Sequence, residues 1–277
     1  MPRLVTHWLV PVLAVAIAAC LAPACTTRPI DAHPAGPSVV TVGIIDTGIG
    51  AGSLEPVVDR LASTSLVPGE DLADVDGHGT EMAWIVHHAA PGARLVVAKA
   101  VDRYGSTTDE RLAAAVEHLR GAGATVVLVS LSGAAPLPRT HEAFVTAGRA
   151  GVLIVAAAGN DGLDLDRGSS YPGGYRLPNL VTVAAADASG DLLGSSNRGG
   201  PTSVIAPGAV PTCTLDGRPT TSVGTSAAAA LVAGTAAARS GAASMPERIA
   251  RLRAHFAAAA SGAGPRIELA SFRSCAA

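Results

Sequence analysis

From Val39 onward, short runs of β-branched apolar residues alternate with longer stretches in which apolar positions recur three and four residues apart. The runs Val39–Asp46, Leu95–Ala100, Thr125–Ser130, Val152–Ala157 and Leu180–Ala184 are short, β-branched and mostly apolar, broken only by Thr, Gly, Lys or a single polar end residue, the pattern of strands buried on both faces. Between them, Glu110–Arg120 and His141–Arg149 have helical spacing. Ser226–Ala238 is an Ala-rich helix, a composition that forms helix readily and needs no functional explanation. This β/α alternation predicts an α/β fold, a mostly parallel sheet with helices on both faces, and places function at the strand ends.

Residues 1–24 follow a different rule. Arg3 is their one charged residue, an apolar run spans Trp8–Ala19, and small residues close the segment, which is the layout of a secretory signal. A membrane span is disfavoured because Pro11 interrupts a run shorter than the ~20 residues a bilayer requires. Two processing sites compete: Ile17-Ala-Ala-Cys20 resembles a lipoprotein box that would leave a lipid anchor on Cys20, and Ala22-Pro-Ala24 has the small-x-small form of ordinary signal cleavage. The expected organisation is a signal over 1–24 (1–19 for a lipoprotein), a Pro-rich spacer over 25–38, and one folded domain over 39–277. The location is extracytoplasmic in either case, secreted or membrane-anchored.

Composition narrows the classes. Of the 277 residues 48% are apolar and 15% charged, which suits one domain with a large core. The net charge of -2, without long like-charge runs, gives neither a nucleic-acid footprint nor a polybasic membrane patch. Cys213 and Cys275 lie far from the signal and have two readings in an oxidising compartment, a bridge or two buried thiols.

Three Gly-rich segments, far apart in sequence, each present one reactive side chain: Val42-Gly-Ile-Ile-Asp46-Thr-Gly, Asp76-Gly-His78-Gly-Thr80 and Gly224-Thr-Ser226-Ala-Ala. A serine hydroxyl needs a histidine to take its proton, and the histidine needs a carboxylate to fix its tautomer and stabilise its charge. Asp46 closes a buried strand, where a carboxylate is costly unless paired. A fourth segment, Ala156-Ala-Ala-Gly159-Asn160, puts an amide at another strand end, where it can donate to an anion developing on a scissile carbonyl. Singly, these would be turn residues, a loop histidine and a helix cap. Together they supply acid, base, nucleophile and oxyanion donor.

In their order and flanking residues the four motifs resemble the subtilisin-like serine peptidases, over roughly residues 39–258. Ser130-Leu-Ser-Gly133, Tyr171-Pro172, Val181–Ala185 and Ala206-Pro-Gly208 resemble further landmarks of that family. The resemblance implies a seven-stranded parallel sheet, an Asp46–His78–Ser226 triad, and an oxyanion hole from Asn160 and the Ser226 N–H. It also implies a substrate-binding set of Ser130, Leu131, Ser132, Gly133, Ala157, Gly159 and Ser170. A monomeric endopeptidase acting on polypeptides without a required cofactor is expected. Departures fall at Glu81, Ala227, Ala230 and Leu231, none of which transfers a proton, so they bear on packing and substrate fit. The rival within the same fold is a catalytically silent peptide-binding protein.

Other features carry weaker expectations. Asp161, Asp164 and Asp166 form an acidic loop that could hold Ca²⁺, although a solvated loop is the favoured reading and no metal site is assigned. His87 and His88 lack the spacing of a zinc peptidase, and Gly48-Ile-Gly50-Ala-Gly52 lacks the third glycine of a dinucleotide fingerprint, at Ser53. Small, uncharged pocket walls favour an apolar P1 side chain, with Asp161 at the rim able to assist a basic one. Activity is expected to fall below about pH 6.5 as His78 protonates, unless its partners shift that value. With only Cys25–Ser38 between signal and domain, far below the ~40 residues of an unaided fold, maturation without a covalent pro-domain is expected.

Overall fold

The computed structural model describes residues 39–51, 54–55, 57–241, 243–260 and 275. The chain divides at Ser38/Val39, and everything below belongs to the unit Val39–Ala277. The signal, the spacer, Cys20 and most of the tail after Ala260 lie outside the described residues.

A seven-stranded sheet forms the centre, built from β1 (Thr41–Asp46), β2 (Thr64–Ser65), β3 (Arg94–Lys99), β4 (Val126–Val129), β5 (Leu153–Ala157), β6 (Leu180–Ala186) and β7 (Thr202–Pro207) in the order β2-β3-β1-β4-β5-β6-β7. Every pairing within it is parallel. All strands therefore end on one edge. The central strands are buried on both faces, which is why they read as unbroken apolar runs. Side chains alternate between two cores: Val126 and Leu128 join one, Val127 and Val129 the other.

The first core is closed by α1 (His78–Ala89), α4 (Thr225–Ala238) and α5 (Met245–Ala260), the second by α2 (Asp109–Gly121) and α3 (Pro138–Arg149). α4 is buried nearly all round, and its alanines let it approach α1 closely: a Cβ at Gly234 would lie 2.5 Å from that of Ala89. A hairpin of β8 (Ala209–Cys213) and β9 (Pro219–Val223) leads into α4.

The predicted strands and helices are present, with β1, β4 and β5 shorter at their ends and β6, α2, α3 and α4 longer than predicted. Absent from the sequence reading were β2, α1, α5, β7 and the hairpin. β9 alternates exposed and half-buried residues, and β7 is half-exposed at the sheet edge, so neither has the apolar run that marks a central strand. The Glu247 carboxylate reaches back over the start of α5, Ser244 N and Oγ both donating to its Oε2 at 2.8 Å, which is one half of a capping box. Of the two readings for the distant cysteines, the structure has the bridge: Cys213 and Cys275 are disulfide-bonded, with Cα atoms 5.7 Å apart.

Candidate active site

Asp46 is the last residue of β1 and His78 the first of α1, and His78 Nδ1 donates to Asp46 Oδ1 at 2.7 Å. The Asp46 side chain is buried; Thr47 N donates to the same oxygen at 2.8 Å, while Oδ2 has no partner among the described residues. The opposite charge of Asp46 outweighs burial and, with its hydrogen bond and the nearby Asp76 and Glu81 carboxylates, raises the His78 pKa to about 9. The partners of His78 thus shift its titration upward from 6.5, the condition attached to the expected acid limb.

Asp74, which sequence reading passed over, sets this geometry. Its Oδ1 accepts from Thr47 Oγ1 (2.9 Å), Gly77 N (2.9 Å) and Asp76 N (3.2 Å), and its Oδ2 from Thr80 N (2.9 Å) and Thr80 Oγ1 (2.6 Å). Burial pushes the carboxyl up, but the bonds from Thr80, Gly77 and Thr47 outweigh it and its pKa is lowered overall. The loop after β1 and the first turn of α1 are thereby tied to one buried anion. Gly77 enters the helix with φ 105°, a left-handed conformation that glycine adopts without steric cost. The available signal was position, an acidic residue four before His78 in Asp74-Val-Asp-Gly-His78.

Ile45 pairs with Val129, so the residues that follow them, Asp46 and Ser130, leave adjacent strands side by side. Ser226, second residue of α4, sits over Ser130: its Oγ donates to the Ser130 carbonyl at 3.0 Å, not to His78. Asn160 is exposed at the end of the β5 loop, and its Oδ1 accepts from Thr225 N (2.9 Å) and Thr225 Oγ1 (3.1 Å). With the acceptor atom committed, Nδ2 is left as the amide's free donor. Thr225 Oγ1 also accepts from Gly159 N at 3.2 Å, so one threonine joins the Asn160 loop to the nucleophile helix.

The expected substrate-binding residues converge around Gly159. A Cβ there would lie 2.8 Å from Ser170 Oγ, 3.1 Å from Ser132 Oγ and 2.4 Å from Asn197 Nδ2. Ser170 is buried, its hydroxyl donating to Ala158 O at 2.9 Å. Gly133 pairs with Tyr171 through N–H to O bonds of 2.9 and 2.7 Å, which joins the Ser130–Gly133 and Ser170–Tyr171 segments; Ala157 closes β5 below them. Asn197 had no sequence signal. Fully buried, it donates to Ala158 O and accepts from Asp161 N and Leu163 N, shaping the loop that carries Asn160.

The acidic loop is internally engaged: Asp164 Oδ1 accepts from Asp166 N, and Asp166 accepts from Gly200 N and Arg176. Among the described residues no group of three His, Cys, Asp or Glu converges as a metal site. The Gly48–Gly50 loop is stitched to the Leu72–Asp74 segment, and Gly50 N donates to Thr80 Oγ1 at 2.9 Å, so its amides do not form a phosphate cradle.

A parallel α/β sheet with a buried Asp–His pair, a serine at the head of a helix and an amide donor on a neighbouring loop defines a serine-hydrolase class of site. Residues 38–266 match the Subtilase family, and the chain belongs to it, a family of serine-type endopeptidases. It is 34% identical to Subtilisin Savinase of Lederbergia lenta over 212 residues, covering 72% of this chain and 76% of that protein. The same identity holds to an alkaline protease of Alkalihalobacillus alcalophilus, where the match spans 53% of the relative's length. Among solved structures, a cold adapted subtilisin-like serine proteinase superposes with TM-score 0.66 at 27% identity, covering 78% of this chain and 81% of that one.

Proposed function

We propose that this chain hydrolyses peptide bonds through Ser226, with His78 as general base and then acid, Asp46 as its orienting carboxylate, and Asn160 Nδ2 with the Ser226 N–H as the oxyanion hole. The observation that carries this reading is the 2.7 Å His78–Asp46 bond together with a helix-borne Ser226 held over Ser130, the residue that follows the strand end next to Asp46. Asp46 holds Nδ1–H, which leaves Nε2 to take the Ser226 proton as Oγ attacks the carbonyl carbon. The oxyanion then forms where the Asn160 amide and the start of α4 can donate, the helix adding its positive end. His78 passes the proton to the leaving amine, and water repeats the sequence to free the acyl group.

The small side chains at Gly159, Ser132 and Ser170 support an apolar P1 residue. The Cys213–Cys275 bridge supports an extracytoplasmic location, where disulfides persist, with secretion or a Cys20 lipid anchor as its two forms. A monomer that needs no cofactor completes the reading.

A fluorophosphonate should label Ser226 and no other serine, and Ser226→Ala should lose about 10⁶ in kcat, the scale established for subtilisin triads. Folded wild-type protein that neither labels nor cleaves a peptide library would leave the peptide-binding alternative in its place.

A further inference from the structure

The Ser130 carbonyl is claimed twice. In the structure it accepts the Ser226 hydroxyl at 3.0 Å, so the nucleophile is turned away from its base. The same carbonyl begins the extended segment Ser130–Gly133, which is paired on one side through Gly133 and Tyr171. Leu131 and Ser132 have no backbone hydrogen bond among the described residues outside the strands, so this segment offers an open edge on the cleft side. A peptide lying along that edge presents an N–H to Ser130 O. Because Ser226 Oγ touches that oxygen, the residue donating the N–H is the one whose own carbonyl lies next to the nucleophile, the P1 residue.

We propose that the Ser130 carbonyl is a catch on the nucleophile which the substrate itself releases: the P1 N–H takes the carbonyl, and the freed hydroxyl turns to His78 Nε2. This rests on the peptidase reading above. A carbonyl oxygen has two acceptor sites, so release is a competition rather than a steric exclusion. Two features weight it. The amide donor arrives held by the neighbouring substrate contacts, whereas the hydroxyl turns about one bond. In the resting site, Asp46, Asp76 and Glu81 favour the imidazolium, whose Nε2 can only donate, and this leaves Ser130 O as the acceptor for the serine proton. A bound peptide strips water from His78 and favours its neutral form, the Nε2 proton leaving to solvent as the site closes, which turns Nε2 into the acceptor the hydroxyl then finds.

The test pairs two peptides that differ only at the P1 nitrogen, an amide and its ester (depsipeptide) counterpart, which lacks the N–H. Single-turnover acylation of wild-type enzyme by the depsipeptide should be about tenfold slower, the scale of one neutral hydrogen bond, with KM within about twofold. A merely adhesive N–H would move KM instead, and that result, or equal acylation rates, overturns the proposal. The second readout is the His78 titration by NMR in resting wild type and Ser226→Ala. It should coincide in the two proteins if the hydroxyl rests on Ser130, and a displaced titration places the hydroxyl on His78 and overturns the catch. Failure to cleave either peptide, by contrast, sinks the peptidase reading itself.

Discussion

The two edges of the central sheet use polar side chains for opposite ends. At the edge where the strands begin, they tie down backbone: Asn179 donates to Phe144 O and Val152 O, Arg248 to Gly151 O and Thr125 O, and Arg94 to Asp59 and Ala122 O. At the edge where the strands end, polar groups form chains that finish on the atoms of the proposed triad and oxyanion hole. Asp74 holds Thr47 and Thr80 around the Asp46–His78 pair, and Thr225 holds Asn160 beside Ser226. Buried side-chain atoms without a partner among the described residues occur at both edges, Asp46 Oδ2 and Ser130 Oγ where strands end and Thr202 Oγ1 where β7 begins, so the difference lies in what the paired groups hold. Polar deletions should accordingly cost turnover at one edge and stability at the other.

The largest effect among single deletions outside the triad is expected at Asn160. Asn160→Ala should lower kcat by about 10²–10³, the scale established for a subtilisin oxyanion donor, a far larger effect than the roughly 1 kcal/mol of stability lost by unpairing Thr225 N and Oγ1. A loss appearing in KM alone would remove Asn160 from the oxyanion hole. The mirror experiment is Asn179→Ala. Burial and two lost backbone partners should cost about 1–3 kcal/mol of unfolding free energy, with kcat/KM within about twofold. A comparable loss of activity in this variant would dissolve the distinction between the edges.

A smaller effect sharpens the electrostatic side. His78 acts as base only when neutral, and its pKa is raised to about 9, so kcat/KM should climb with pH until about pH 9 rather than levelling off near 6.5. Asp76→Asn removes one of the carboxylates that raise it and should shift the acid limb downward. The folded state favours the protonated form, so His78 contributes stability that is fully present below the unfolded value of 6.5 and is lost as pH rises through about 9. Tm followed from pH 6 to 10 should therefore fall while activity rises. An acid limb near 6.5, unmoved in Asp76→Asn, would show that the field of Asp46 and its neighbours does not govern His78.

The residues proposed as reactive were legible because each closes or opens an element whose pattern is local. Asp46 ends an apolar run, Ser226 opens an Ala-rich helix, and the fold follows from β-branched runs buried on both faces. Their supports were not, since each acts across the fold. Thr225 reaches back 65 residues to Asn160, and Asn197 lies 39 from the Ala158 carbonyl it bonds. No periodicity encodes such a bond. The hairpin and β7 escaped for a different reason, because half-exposed strands lack the apolar run by which the central ones are read. The size of the His78 shift was not legible because its largest cause, the charge of Asp46, comes from 32 residues away and depends on the fold bringing the two together.

The central claim is that Asp46, His78 and Ser226 act as one unit, and the most direct measurement is a double-mutant comparison of turnover. His78→Ala and Ser226→Ala should each lower kcat by about 10⁶, and the double variant should lose no more than either alone, because once one member is gone the other has no proton to move. Losses that multiply in the double variant would mean that the two residues contribute independently, and would contradict the account.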